Sequence, residues 1–295
     1  MTAKEQGFLL LTCHLGNPER KPLTVAQFRE LAHRARAMKK PEEEREMTAR
    51  DLINIGYSKD TANHILHLLS QTEELSWYLG KAEKSGCVPI TRLNDLYPAP
   101  VRRCLGLDAP GALWAKGNIA LLDEPKIALV GSRDLRKENL AFAYELGKQA
   151  ALQGYTLVSG GANGADITAQ DSCLEHGGSV VCVVADKLEK YHEHDRVLYL
   201  SENGFELPFS AARALSRNRI IHSLAVRTFV AQCTMGKGGT WDGTCRNLKG
   251  NWSPVFCFRD ESAASAELEN RGAKLIDITA LSDISKLQPD MVSFL

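Results

Sequence analysis

The stretch VGSRD puts Gly131, Ser132 and Arg133 directly after an apolar run. Glycine lets a backbone approach a ligand, serine and free amides donate to phosphate oxygens, and arginine can pair with them bidentately. VSGGANGAD repeats the theme with Gly160, Gly161, Asn163 and Gly164, in the manner of glycine-rich loops that cradle phosphates. A third stretch, TMGKGGTWDGT, sets Gly236, Gly238 and Gly239 around Lys237. One such loop is commonly just a tight turn; three in one domain, two of them with a basic residue, point to an anion site. None fits GxxxxGK[ST], which argues against a motor-type ATPase. The acid that a dinucleotide ribose would need about 20 residues past the first loop is Glu145, which falls inside a helix. Asp166 reads first as an acid that stabilises the opening turn of its helix. For acid–base chemistry only Asp166, Asp186 and Asp242 are placed near the loops, and none stands out. No catalytic residue is assigned.

The elements that must position these loops alternate from Lys126 onward. Apolar strands are expected at Ile127 to Val130, Tyr155 to Ser159, Val180 to Ala185, Thr228 to Ala231, Val255 to Phe258 and Lys274 to Ile276. Helices between them, near Glu138 to Gln153, Ala165 to His176 and Ser262 to Arg271, each end at a glycine: Gly154, Gly177 and Gly272. This is the pattern of an α/β, doubly wound, mostly parallel Rossmann-like sheet, which binds ligands at the carboxyl ends of its strands. Residues 1–85 read as a small helical domain. Thr24 and Gln27 form a capping-box pattern, and Val25, Phe28, Leu31, Ala32, Ala35 and Met38 recur at helical spacing, ending before Pro41. LINIGYSKDTANHILHLL then reads as helix, glycine turn and helix. It is similar to a helix-hairpin-helix, but Ser58 stands where the second hairpin glycine is expected, so a purely structural module competes with a DNA-binding one. Residues 86–125, rich in Pro and Gly, read as a connecting arm with an edge strand near Leu113 to Lys116, leaving 126–295 as the sheet domain.

The chain has 295 residues, 44% hydrophobic and 24% charged, which is enough to bury a sizeable core. No apolar run approaches the ~18 residues a membrane span needs, and the N-terminus lacks a secretion signal, so a cytoplasmic protein is expected. The eight cysteines include no CxxC pair; Cys173, Cys182, Cys233 and Cys257 read as reduced core residues. His192 and His194 lack a third ligand nearby, so neither a metal nor a cofactor is expected. Net charge is zero, which argues against coating nucleic acid by bulk charge. Yet from Leu207 to Trp241 there is no Asp or Glu, while Arg213, Arg217, Arg219, Arg227 and Lys237 fall in that window. It reads as a local electropositive surface for an anionic partner, or as scattered solvated arginines.

Taken together the motifs resemble the DprA/Smf family of DNA-processing proteins. ITRLNDLYPAPVRRCLGLDAPGALWAKGNIALLDEPKIALVGSRD is similar to that family's entry into its nucleotide-fold domain. LVSGGANGADITAQDSCLEHGGSVVCVVA is similar to its SGxAxGID segment, and SRNRIIHSLA, with Arg217, Asn218 and Arg219, to its RRNRIIAGLS segment. DKLEKYHEHDRVL keeps the spacing of the family's YPPENR from Tyr191 to Arg196 but lacks both prolines. The resemblance spans about residues 86–280.

The resemblance implies a dimeric, non-enzymatic protein that binds single-stranded DNA and, in transformable bacteria, hands it to a RecA-type recombinase. Arg133, Arg217 and Arg219, with the amides around Gly131, Ser132, Gly160 and Gly164, would then contact phosphates without reading sequence. Phe209, Trp241 or Trp252 could stack on bases, or pack inward. Two departures stand out. GKGGTWDGTCRNLKGNW replaces the family's GSLITA-like helix start and is reminiscent of the PGGxGT loop of lysine-decarboxylase-like phosphoribohydrolases, which leaves a nucleotide sensor or hydrolase as an alternative. The residues after Ile276 are too few for the winged helix many members carry at their C-terminus, so that domain is not expected. A regulatory partner, such as an antitoxin or defence component, is the third reading.

Overall fold

Side-chain caps set the helix starts of the first 85 residues. Thr2, Thr24 and Thr48 each form a capping box with the residue three positions on, opening α1 (Ala3–Thr12), α2 (Val25–Ala35) and α3 (Ala49–Asn54). Gly56, with φ +93°, turns the chain, and Ser58 caps α4 (Lys59–Ser70), followed by α5 (Thr72–Lys84). Leu11, Leu23, Leu31, Leu52, Ala62, Ile65 and Leu68 form the core of this bundle. Arg20 is buried beside it and donates to the carbonyls of Leu10 and Cys13 and to Gln71 Oε1, which satisfies carbonyls left over at a helix end. The computed structural model describes residues 1–36 and 46–289; Met38, Pro41 and the acidic run after it lie outside them. The chain divides into two units, Met1–Ser85 and Gly86–Leu295. No helix among the described residues is long and apolar enough to cross a membrane.

In the second unit β1 (Cys87–Thr91), α6 (Ala99–Leu105) and β2 (Ala112–Gly117) come first. The alternating part follows as β3 (Lys126–Val130), α7 (Lys137–Leu152), β4 (Thr156–Ser159), α8 (Ala165–Glu175), β5 (Val180–Val183), β6 (Val197–Glu202) and α9 (Ala211–Leu224). It ends with β7 (Arg227–Val230), α10 (Gly238–Gly250), β8 (Val255–Phe258), α11 (Ala263–Asn270) and β9 (Lys274–Ile276). The described strands form a nine-stranded sheet in the order β1-β2-β6-β5-β4-β3-β7-β8-β9. Pairing is parallel from β6 through β9 and antiparallel at β1–β2 and β2–β6. The chain winds from β3 out to β6, then returns to lay β7 on the other side of β3. That reversal is where a doubly wound sheet opens its crevice.

Alternate strand residues serve two layers. Ala128, Val130, Val158, Val181, Val183, Val230 and Val255 pack with Ile220, Ile221 and Leu224 of α9 and with Ala264 and Leu268 of α11. α7 and α8 pack against each other, so closely that a Cβ on Gly147 would lie 2.1 Å from the carbonyl oxygen of Ala169. Gly154, Gly177 and Gly272, expected as helix ends, all have positive φ, the left-handed stop that only glycine adopts without strain.

The span expected to be a connecting arm is part of the sheet: it supplies β1 and β2, and β2 is not an edge but lies between β1 and β6. β6 is absent from the strands expected from the sequence; it follows directly on the Tyr191 to Arg196 segment, where Val197, Leu198 and Leu200 make a short buried apolar run. Arg196 directly precedes that strand, donating to the carbonyls of Leu174 and Gly178.

Candidate functional site

The three glycine loops follow β3, β4 and β7, which are consecutive in the sheet. Gly131 is the wedge between them. A Cβ there would lie 2.3 Å from Ala165 Cβ, in the first turn of α8, and 3.3 Å from Ala231 Cβ. Its carbonyl accepts from Thr240 Oγ1, in the first turn of α10, at 2.9 Å. The openings of α8 and α10 therefore flank one strand end. Ser132 donates from both its amide and its hydroxyl to the carbonyl of Gln232, at 2.9 and 3.2 Å, and accepts from the amide of Ala165 at 3.2 Å. Gly164, with φ +89°, allows the backbone of Arg133 to approach, since a Cβ there would lie 2.3 Å from the Arg133 carbonyl oxygen. Gly239 accepts from Asn218 Nδ2 at 2.8 Å.

Neither α8 nor α10 has a side-chain cap; their N-cap residues are Gly164 and Lys237. By contrast Ser58, Ser210 and Ser262 cap α4, α9 and α11. At α10 the first-turn amides of Gly238, Gly239 and Thr240 have no acceptor among the described residues. At α8 the amides of Ala165 and Ile167 are taken by the carbonyls of Ser132 and Ala162, so the amides left for an outside acceptor are those of Gly161, Asn163 and Gly164 just before it, with the positive ends of two helix dipoles behind them. Arg133 and Lys237 are exposed, and among the described residues neither side chain makes a hydrogen bond or ion pair, although the Arg133 charge is felt by Asp166. Asn163 and Gly238 are exposed beside them.

The acid-free window is not the electropositive surface it was expected to be. Arg217 is only 8% exposed and donates to the carbonyls of Gly160 and Val183. Arg219 pairs with the buried carboxylate of Glu202 at 2.6 Å and donates to the carbonyl of Asp108. Arg213 reaches the carbonyls of Ala185, Leu207 and Pro208 at 2.7 to 3.0 Å, and Arg227 those of Ser285 and Leu287. Four guanidinium groups are occupied by the protein's own acceptors, and Lys237 alone of the five cations faces solvent unengaged.

Asp166 departs from the role expected of it. Buried, it accepts with one oxygen from the amides of Gly160 and Ala162 at 3.0 and 3.2 Å, bracing the loop before its helix. Burial pushes its carboxyl up from the ordinary value, against the opposing pull of Arg217 and those amides. Asp186 accepts from Lys190 Nζ and from the amides of Lys187 and Phe209; burial raises it, but these donors bring it below the usual carboxylate range. Asp242 pairs with Arg246 at 3.0 Å. Phe209 is 53% exposed, whereas Trp241 and Trp252 pack against the core, with Arg271 over the Trp241 ring. The buried thiols of Cys173 and Cys182 are pushed up to about 11, and that of Cys233 to about 12, by burial. No group of metal-ligating residues exists among the described ones.

Two residues that join the loops had not been singled out from the sequence: Thr240 and Gln232, whose side-chain oxygen accepts from the Arg136 amide at 2.9 Å. The only signal available was a polar residue directly after a strand or a glycine pair.

A sequence model described as DNA recombination-mediator protein A matches residues 89–287. The chain is 31% identical over 207 residues to DNA processing protein DprA of Streptococcus pneumoniae, covering 62% of this chain and 69% of that one. It is 28% identical over 149 residues to Protein Smf of Escherichia coli, covering 47% of this chain and 40% of that one. Among solved structures, DprA from S. pneumoniae superimposes with TM-score 0.68 at 24% identity, covering 94% of this chain and 95% of that one. DprA from Helicobacter pylori, described for its single-stranded DNA binding mode, superimposes with TM-score 0.57 at 23% identity, covering 66% and 94%. At those identities the superpositions speak for the fold, and the family rests on the sequence matches: the chain belongs to the DprA/Smf family of DNA-processing proteins.

Proposed function

We propose that this protein binds single-stranded DNA through its phosphates, without reading sequence, and passes it to a RecA-type recombinase, acting as a homodimer and without chemistry of its own. The observation that carries the reading is the set of three glycine loops on consecutive strands, with two uncapped helix openings and the unengaged cations Arg133 and Lys237. Loop amides and such cations neutralise a phosphodiester backbone and leave the bases unread. The H. pylori relative's single-stranded DNA binding mode and the family's description as a recombination mediator favour DNA over a free nucleotide. The three carboxylates near the loops are each held by loop amides or a cation, which favours binding over hydrolysis.

In this reading direct phosphate contact falls to Arg133 and Lys237 with the amides of Gly161, Asn163, Gly164, Gly238 and Gly239, while Arg217, Asn218 and Arg219 hold the frame. The test is fluorescence anisotropy of an oligothymidine of roughly 30 nucleotides across a salt series. Each phosphate contact contributes about 0.7 to the slope of log affinity against log salt for a single strand. Arg133→Ala and Lys237→Ala are each expected to weaken binding and to lower that slope by about this amount. A folded wild type that fails to bind at low salt overturns the reading.

A further inference from the structure

We infer that Asp166 and Arg217 are positioning residues that hold the two peptide units flanking the Gly160 Cα and so aim the amides of the second loop at the DNA phosphate; the inference rests on the reading above. Asp166 Oδ2 takes the amides of Gly160 and Ala162. Arg217 takes the carbonyl of the same Gly160 together with that of Val183, at the end of the neighbouring strand. The Gly160 residue is therefore fixed by its own N–H and C=O at once, which holds the two peptide units on either side of it, and strand ends β4 and β5 are tied through one guanidinium.

The sequence around the grip is built for it. A Cβ on Gly160 would lie 2.1 Å from Arg217 Nη1, so no side chain fits between loop and guanidinium. Gly161 and Gly164, at φ +67° and +89°, supply the turns that return the chain to α8. Because Asp166 takes the amides at alternate positions, 160 and 162, those between and after them are left over. Among the described residues the amides of Gly161, Asn163 and Gly164 have no protein acceptor, and Gly164 abuts the Arg133 backbone at the opening of α8. Both gripping side chains are buried, so they reach a ligand only through the loop.

This assignment differs in its consequences from direct contact. A direct phosphate contact lowers the salt slope when removed, whereas a positioning residue lowers affinity and leaves the slope in place. One oxygen of Asp166 serves both amides, so an asparagine can present its carbonyl oxygen in the same place: hydrogen bonding survives and the charge is gone. The experiment is the same oligothymidine titration across salt on the full chain, with Asp166→Ala, Asp166→Asn, Arg217→Lys and Arg133→Ala, each checked for folding by thermal melting.

Asp166→Ala is expected to weaken binding roughly tenfold, as removal of an orienting partner does elsewhere, with the wild-type slope; Asp166→Asn should restore affinity to within about threefold, because the acceptor is kept. Arg217→Lys should weaken binding with an unchanged slope, while Arg133→Ala lowers it. Asp166→Asn as weak as Asp166→Ala, a lower slope in Arg217→Lys, or folded Asp166→Ala binding like wild type would overturn the inference and leave the DNA-binding reading intact. No binding by the wild type would remove both.

Discussion

His222 is fully buried on α9, with Nδ1 3.2 Å from Asn247 Nδ2. Its Nε2 is buried and has no partner among the described residues. Desolvation pushes the ring down to about 3, from an ordinary value of 6.5. The folded state therefore refuses a proton that the unfolded chain accepts below pH 6.5. Stability from this group is complete above that pH and is lost progressively as pH falls toward 3, by up to about 1.4 kcal/mol per unit. Unfolding free energies from urea titrations at pH 7.5 and 5.5 should differ by that order in the wild type, and a folded His222→Gln should lose this part of the difference.

Legibility at the residue scale divides along the same chemical line. The three glycine loops were readable because each glycine cluster directly follows an apolar run, a pattern local in the sequence. Arginine was not, because its five donors fit a strand-end carbonyl as well as a phosphate, and the carbonyls Arg217 takes lie 57 and 34 residues upstream.

At the scale of elements, Arg219 joins the end of β6 to the turn after α6 through Glu202 and Asp108. Glu202 is almost wholly buried and one of its oxygens already lacks a partner among the described residues. Arg219→Ala would leave that carboxylate buried and unpaired, at a cost of about 3–5 kcal/mol. Adding Glu202→Gln should recover much of the loss, as a urea titration of the single and double variants would measure. A failure of an Arg217→Ala/Arg219→Ala protein to bind DNA would thus report a damaged fold before it reported a lost contact. The parallel strands and the helices ending at Gly154, Gly177 and Gly272 were legible from alternation and stops. The antiparallel extension was not, since β1 contains Pro89 and, among the described strands, pairs only with β2, so its identity depends on a partner that local pattern does not reveal.

For the whole molecule, a net charge of zero means that salt dependence should report a few local contacts rather than a bulk field. The division at Ser85 and Gly86 places all three loops and both gripping side chains in the second unit. A fragment starting at Gly86 is expected to fold and to bind oligothymidine within about threefold of the full chain, since the contacts that fix a site set its affinity. A much weaker folded fragment would show that residues 1–85 contribute to binding.

The wedge at Gly131 also bears on engineering. The openings of α8 and α10 both abut it; Ser132, Gln232 and Thr240 cross between the first and third loops, and Asp166 and Arg217 hold the second. Grafting the VGSRD turn alone onto another doubly wound sheet would transplant the motif without its support. A working transfer would have to move three adjacent strand ends together with the five side chains that lace them, as a single cassette.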